Sequence, residues 1–327
     1  MTALYPWLAP TYVKIAQTFS EGLGHHAVLI KSDSGLGVEQ LFESLSRRIM
    51  CLEAQSTEPC GQCHTCHLMQ AHSHPDYHEL HSIEGKDIGV DQVREMTEIV
   101  AQHAQQHGNK VVYVKEAERL TEAAANALLK TLEEPRPNTY FLLQADSAAS
   151  LLATIYSRCQ VWNLSSPPTE VALDWLQTQC KAETQEILTA LSMSLGRPLF
   201  ALEVLQQGLI EQRKDFLRQF WRFYRRRSPL ELLPLFDKEH YIRQLDWILA
   251  FLSDSLKHKL EINHYRQVTD LVRGVEQFSD EQTVLGLLQA IQIVQKVRSD
   301  LLSINGVNVE LMLLDGLTKL VTDVFEK

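Results

Sequence analysis

The sequence predicts an α/β domain built on a parallel sheet, followed by a wholly helical half. Three observations carry that expectation. Val111, Val112, Tyr113 and Val114 form a short β-branched run bounded by charge, the pattern of a strand buried on both faces. That run opens a strand, helix, strand, helix, strand order ending near Trp162, the order of a doubly wound sheet whose ligand sites collect at the C-terminal strand ends. Beyond Ser165-Ser166-Pro167-Pro168, strand patterns vanish and helical periods take over.

Bulk properties bound the function. A chain of 327 residues is long enough for two or three domains with a sizeable core. A net charge of −10 argues against a protein that grips nucleic acid over a broad surface by itself, because such binding rests on lysines and arginines displacing phosphate counterions. No apolar run approaches 18 residues, and the start, Met1-Thr2-Ala3-Leu4-Tyr5-Pro6-Trp7, lacks a basic and then apolar leader, so the expected location is the cytosol, with no membrane partner.

In chain order, an amphipathic helix over 12–19 precedes a first buried strand at 27–30 and a helix at 39–50. A cysteine-bearing insertion follows at about 51–75, then a strand at 76–80 and a helix from 89 to 103. The stripe Ile88, Val90, Val93, Met96 and Val100 on that helix reads as core. After the strand at 111–114, Thr121 is placed to cap a helix over 122–134 that Pro135 and Pro137 stop. A strand at 140–143 and a short helix at 151–156 lead into Ser157-Arg158-Cys159 and an extended segment at Val161-Trp162. Cys159 and Cys180 stand alone and are expected to be inert thiols.

The helical half divides in two. Helices at 170–179, with Thr169 as cap, at 183–195, closed by Gly196, and at 198–207, closed by Gly208, make a small lid. Longer helices at 210–227, 241–260, 280–303 and 309–326 make an all-α domain. The expected boundaries are 1–165, 166–207 and 208–327.

The loop between the first strand and the next helix, Lys31-Ser32-Asp33-Ser34-Gly35-Leu36-Gly37, is where a nucleotide-binding α/β protein places its phosphate loop. That motif needs two glycines, a lysine for the β- and γ-phosphates and a hydroxyl for Mg²⁺. Here Ser32 replaces the first glycine, Gly37 keeps the second, Val38 replaces the lysine and Glu39 the hydroxyl, while Gly35 stays within the turn. No ATP is therefore expected to bind to this chain.

Cys51, Cys60, Cys63 and Cys66 comprise two overlapping C-x2-C units and a fourth thiol nine residues upstream. Four thiolates suit one tetrahedral zinc in a closed, structural site. An iron–sulfur cluster accepts the same spacing, disulfides are disfavoured in a cytosolic chain, and His64, His67, His72 and His74 are alternative or outer ligands. At 216–227, Phe220, Trp221, Phe223 and Tyr224 interleave with Arg218, Arg222, Arg225, Arg226 and Arg227. Such a segment is either a single-strand binding surface or an amphipathic helix with a solvated arginine face.

The strings NALLKTLEEP at 126–135 and TIYSRC at 154–159, separated by 18 residues, resemble the AAA+ subunits of replicative clamp loaders. The resemblance extends from Tyr5 to Glu310, nearly the whole chain, and its start and end match a non-hydrolysing subunit type of the bacterial DNA polymerase III clamp loader. It implies an AAA+ (RecA-like) core with a four-cysteine zinc insertion, a helical lid and a C-terminal collar. It implies that Arg158, otherwise read as a surface ion pair, is an arginine finger reaching the γ-phosphate of ATP held by a neighbour. It also implies failed Mg²⁺- and water-orienting positions at Lys115 and Glu116, a missing Thr at Gln144-Ala145, and Leu199 in place of a lid arginine, with Arg197 a near miss. The partners it implies are gamma or tau type ATPase subunits and a delta subunit in a ring of five, with the sliding clamp and primed DNA met through the complex. Two rivals remain: a zinc-dependent nucleic-acid adaptor on a degenerate nucleotide-binding fold, and an ATPase with an unorthodox loop.

Overall fold

Two compact units divide the chain, residues 1–167 and 168–327. A computed structural model describes residues 4–83, 85–262, 264, 266–304 and 306–325.

The first unit opens with α1 (Ala9–Ser20), β1 (Ala27–Ser32), α2 (Val38–Met50), the short α3 (His64–Gln70), β2 (Tyr77–Leu80) and α4 (Val90–Ala101). It continues with β3 (Lys110–Val114), α5 (Glu122–Glu133), β4 (Thr139–Asp146), α6 (Ala153–Tyr156) and β5 (Gln160–Leu164). The five strands are all parallel, in the order β2-β3-β4-β1-β5. Each central strand is apolar because helices cover both faces: β3 is buried at every residue, and Leu29, Val112 and Phe141 meet Leu128, Leu132 and Ile155 from the helices. Thr121 caps α5 as its sequence predicts, its hydroxyl accepting the Ala124 amide at 3.2 Å. Connections from β1 run toward β2, whereas the connection from β4 returns past β1 to β5. The strand order therefore reverses between β1 and β4, and the loops following β1, β3 and β4 converge there.

In the second unit α7 (Thr169–Gln179), α8 (Thr184–Met193) and α9 (Pro198–Gln206) pack around Ala172, Leu176, Ile187, Ala190 and Ala201. Then follow α10 (Leu209–Arg226), α11 (Pro229–Leu232), α12 (Tyr241–Lys259), α13 (Val272–Glu281), α14 (Val284–Ser303) and α15 (Val309–Lys319). Their common core holds Phe220, Phe223, Phe251, Phe278 and Phe325. No single helix among the described residues is long and apolar enough to cross a membrane.

Several expectations are corrected. Thr169 is the first residue of α7 rather than its cap, and no side chain caps that end. Residues 280–303 are not one helix: Gln282 is extended, and Thr283 starts α14 by accepting the Gly286 amide at 3.0 Å. With no glycine or proline at that point, the break hides inside a continuous helical pattern. The helix expected at 89–103 stops at Ala101, and the one expected at 183–195 stops at Met193. The last helix changes to a π-helical winding over Leu320–Phe325, and Glu326 lies outside the described residues.

The aromatic and arginine-rich segment is the amphipathic alternative. Phe216, Phe220, Phe223 and Tyr224 are buried in the core of the longer helices. Arg218 pairs with Asp215, Arg225 with Glu281 and Arg226 with Glu231, while Arg222 donates to Gln219. Neither the rings nor the charges are set out as a stacking platform for bases.

Candidate functional site

Three groups of residues are candidates, and only the first lies at the C-terminal edge of the sheet. The first is the cleft at the strand reversal, about 470 Å³, lined by Ser32, Gly35, Gly37, Val38 and Glu39, by Lys115, Glu116 and Glu118, and by Gln144 to Asp146. Gly35 and Gly37 have φ of 84° and 69°, left-handed values that explain glycine at both places. Protein groups hold the loop. The Trp7 indole donates to the Leu36 carbonyl at 2.8 Å, Leu36 is fully buried, and Tyr5 stacks on Trp7 with centroids 4.9 Å apart.

The lining of this cleft is acidic. Asp33, Glu39, Glu116, Glu118 and Asp146 line it against the single ammonium of Lys115. Lys115 pairs at 2.7 Å with Glu79 on the neighbouring strand. Burial works to raise the Glu79 carboxyl, but the Lys115 ammonium outweighs it and holds that carboxyl below its ordinary value. Glu116 takes a left-handed backbone conformation and accepts the Ser82 hydroxyl at 2.7 Å. Glu39 accepts from the Gln144 amide at 3.2 Å, and Gln144 in turn accepts from the Tyr113 hydroxyl. A protonated lysine offers no lone pair to a metal, so this constellation has no means of holding Mg²⁺ at position 115.

The second group surrounds Arg158, which follows α6. Its base is fixed on both sides: Ile155 is 1% exposed, and Cys159 packs on the same sheet core. Burial pushes the Cys159 thiol up to about 12. The guanidinium stands partly exposed. Nη1 donates to the Thr154 carbonyl at 2.9 Å and to the Ser157 hydroxyl at 3.1 Å, Nη2 pairs with Glu133 at the end of α5, and Nε is buried without a hydrogen-bond partner.

The third group is the cysteine cluster. The Sγ atoms of Cys51, Cys60, Cys63 and Cys66 all lie within 4.8 Å of one another, with Cys51 to Cys63 and Cys60 to Cys66 both at 3.9 Å. One ion bound through Zn–S bonds of about 2.3 Å sets tetrahedral edges of about 3.8 Å, so these thiols fit a single four-coordinate metal. A four-iron cluster would splay them, since each thiolate ligates a different iron. The Cys60 and Cys63 amides donate to the Cys51 and Cys60 sulfurs at 3.3 Å. Burial works to raise the Cys63 thiol, yet its hydrogen bonds with the Thr65 hydroxyl and the Cys66 amide bring it down to about 6. Cys51 and Cys66 are pushed up, by burial above all. His64, His67 and His72 are exposed, and His74 is buried with Nδ1 accepting the Asp76 amide at 3.1 Å; none joins the cluster.

Arg197, adjacent to the expected lid-arginine position, is the N-cap of α9. Its Nε donates to the Ser194 carbonyl at 2.8 Å and its guanidinium covers the Phe200 ring at 4.8 Å, while Leu199 is half-buried. The sequence did not single out Arg213, Arg243 and Arg298, which join Arg197 around a cavity of about 420 Å³ in the second unit. They lie at distant positions on three helices, and no local pattern marks them.

Comparison with known proteins agrees with this anatomy. Residues 9–168 match the family model described as DNA polymerase III, delta subunit; residues 167–206 match the AAA+ ATPase lid domain of DNA polymerase III subunit delta'; residues 207–322 match the C-terminal family of the DNA polymerase III delta subunit. The DNA polymerase III subunit delta' of Haemophilus influenzae is 79% identical over 326 residues, covering 100% of this chain and 99% of that protein. That of Escherichia coli is 37% identical over 319 residues, covering 97% and 95%. A crystal structure of a DNA polymerase III gamma subunit-related protein from Thermotoga maritima superposes with a TM-score of 0.51 at 19% identity, over 96% of this chain and 99% of that one, a likeness of fold. With relatives this similar along its full length, and family models matching it from residue 9 to residue 322, the chain belongs to the DNA polymerase III subunit delta' family.

Proposed function

We propose that this chain is a non-hydrolysing subunit of the clamp loader serving DNA polymerase III in the cytoplasm, and that it completes a neighbour's ATPase site with Arg158 in trans. One observation carries the reading. The chain's own cleft sets five carboxylates against one ammonium, while a partly exposed arginine stands on a rigid base between Ile155 and Cys159. A guanidinium so placed has no phosphate of its own chain to serve. Supplied to a neighbour, it neutralises charge on the transferred phosphoryl group, an effect worth roughly 10³ to 10⁵ in rate at the site concerned.

In this reading the cysteine cluster holds one structural zinc. Its four thiolates close the metal's shell and leave no position for substrate, so its contribution is to fold a segment in which the cysteines pack against little more than Ala54. The helical lid spans 166–207 and the collar 208–327. The collar joins gamma or tau type ATPase subunits and a delta subunit in a ring of five, which opens the sliding clamp and closes it on primed DNA.

The test is DNA-stimulated ATP turnover of the reconstituted loader with Arg158 or Arg158→Ala in this chain, after assembly of both rings is verified. The expected result is a large fall with intact assembly. Unchanged turnover would reduce the chain to a scaffold.

A further inference from the structure

We propose that Glu133 is a latch for Arg158, holding the guanidinium on its own chain and releasing it only when a neighbour's phosphate competes for the same N–H groups. The inference rests on the Arg158 reading above and adds a regulatory residue to it.

A guanidinium recognises a phosphate through paired N–H donors on one edge. Here both terminal nitrogens are engaged: Nη2 on the Glu133 carboxylate, Nη1 on the Thr154 carbonyl and the Ser157 hydroxyl. The remaining donor, Nε, is buried. No edge can therefore take a phosphate until a partner is given up. Thr154 and Ser157 are neutral and local, within four residues of the arginine. Glu133 is charged and belongs to a different helix, so it is the contact that separates a held arginine from a reaching one.

Glu133 is also fixed in place. It occupies the last turn of α5, whose Leu132 is buried at 1% exposure, and His26 Nε2 lies 2.9 Å from the Leu132 carbonyl oxygen, tying that helix end to the start of β1. The pair is strong enough to set a resting pose and weak enough to open. With side chains 28% and 47% exposed it belongs to the partly screened class, whose contribution to an equilibrium is about five-fold or less. A triphosphate, carrying more charge than one carboxylate, outcompetes it. The latch thus discourages the arginine from engaging an empty or loosely closed neighbour and leaves the fully closed state unaffected.

The test compares reconstituted loaders containing wild-type chain, Glu133→Gln, Arg158→Ala and the double variant, with ATP turnover measured with and without primed DNA. Glu133→Gln keeps the shape and removes the charge. The expected result is a DNA-independent rate raised about two- to five-fold, an unchanged DNA-stimulated maximum, and no effect of Glu133→Gln in the Arg158→Ala background. A fall in both rates, which is what a merely structural role for Glu133 gives, would overturn the latch, as would no change or a rise that survives in the double variant. If Arg158→Ala itself leaves turnover intact, the arginine-finger reading fails first, and the latch with it.

Discussion

Titration of the purified chain with Mg-ATP probes the cleft directly, and its outcome follows from two side chains. A site of about micromolar affinity corresponds to about 8 kcal/mol of binding free energy. Val38 stands where the phosphate-binding lysine would be, and Glu39 where the hydroxyl would be. A unit charge about 4 Å from a phosphate is worth about 4 kcal/mol near a protein surface, at an effective dielectric constant of about 20. Losing the cation and gaining the carboxylate therefore removes about as much as such a site supplies. Calorimetry or a fluorescent nucleotide should detect no binding up to about 1 mM. The double variant Val38→Lys, Glu39→Ser recovers both contributions, yet still faces Asp33, Glu116, Glu118 and Asp146, with Lys115 at the metal position. It should bind measurably but well short of micromolar affinity. A wild-type dissociation constant below about 100 μM would refute this reasoning, because Lys115, already paired with Glu79, could not account for it.

Metal analysis of the chain purified without chelator should return one zinc per chain, and Cys63→Ser or Cys66→Ser should abolish it and lower the thermal midpoint; iron with visible absorbance would point to a cluster instead. Acidification should destabilise the chain through its histidines. Burial lowers the affinity of His26, His74 and His78 for protons below the ordinary value of 6.5, so the unfolded state binds more protons and stability is lost as pH falls below about 6.5. Between pH 7.5 and 5.5 the His26→Gln, His78→Gln variant should lose less thermal stability than wild type, and equal slopes would contradict the assignment.

Much of the first unit was legible because its signals are local. Val111 to Val114 and Ala27 to Ile30 announce buried strands by composition alone, and Thr121 and Pro135 punctuate α5 with side chains whose chemistry is unambiguous. The cysteine cluster was legible for the same reason: three of its four ligands fall within seven residues, 60–66, and spacing fixes their approach. The break before α14 was not, since the cap at Thr283 replaces the glycine or proline that would have advertised it. Nor was the partner of Arg158. Glu133 is 25 residues away, and only the packing of α5 beside α6 brings the two together. The acidic lining of the cleft was half visible: Glu39 and Glu116 sit in recognisable motif positions, while Asp33, Glu118 and Asp146 join them through the convergence of three loops.

Cys159 gives the Arg158 segment chemical durability. Oxidants and alkylating agents attack the thiolate, and burial, by pushing the Cys159 thiol up, keeps it protonated at neutral pH. The cysteine cluster is the opposite case: without a metal, burial opposes the Cys63 thiolate but the Thr65 hydroxyl and the Cys66 amide outweigh it and favour that form. A cluster stripped of its metal is therefore where oxidants find a thiolate, while the arginine keeps its footing on the sheet.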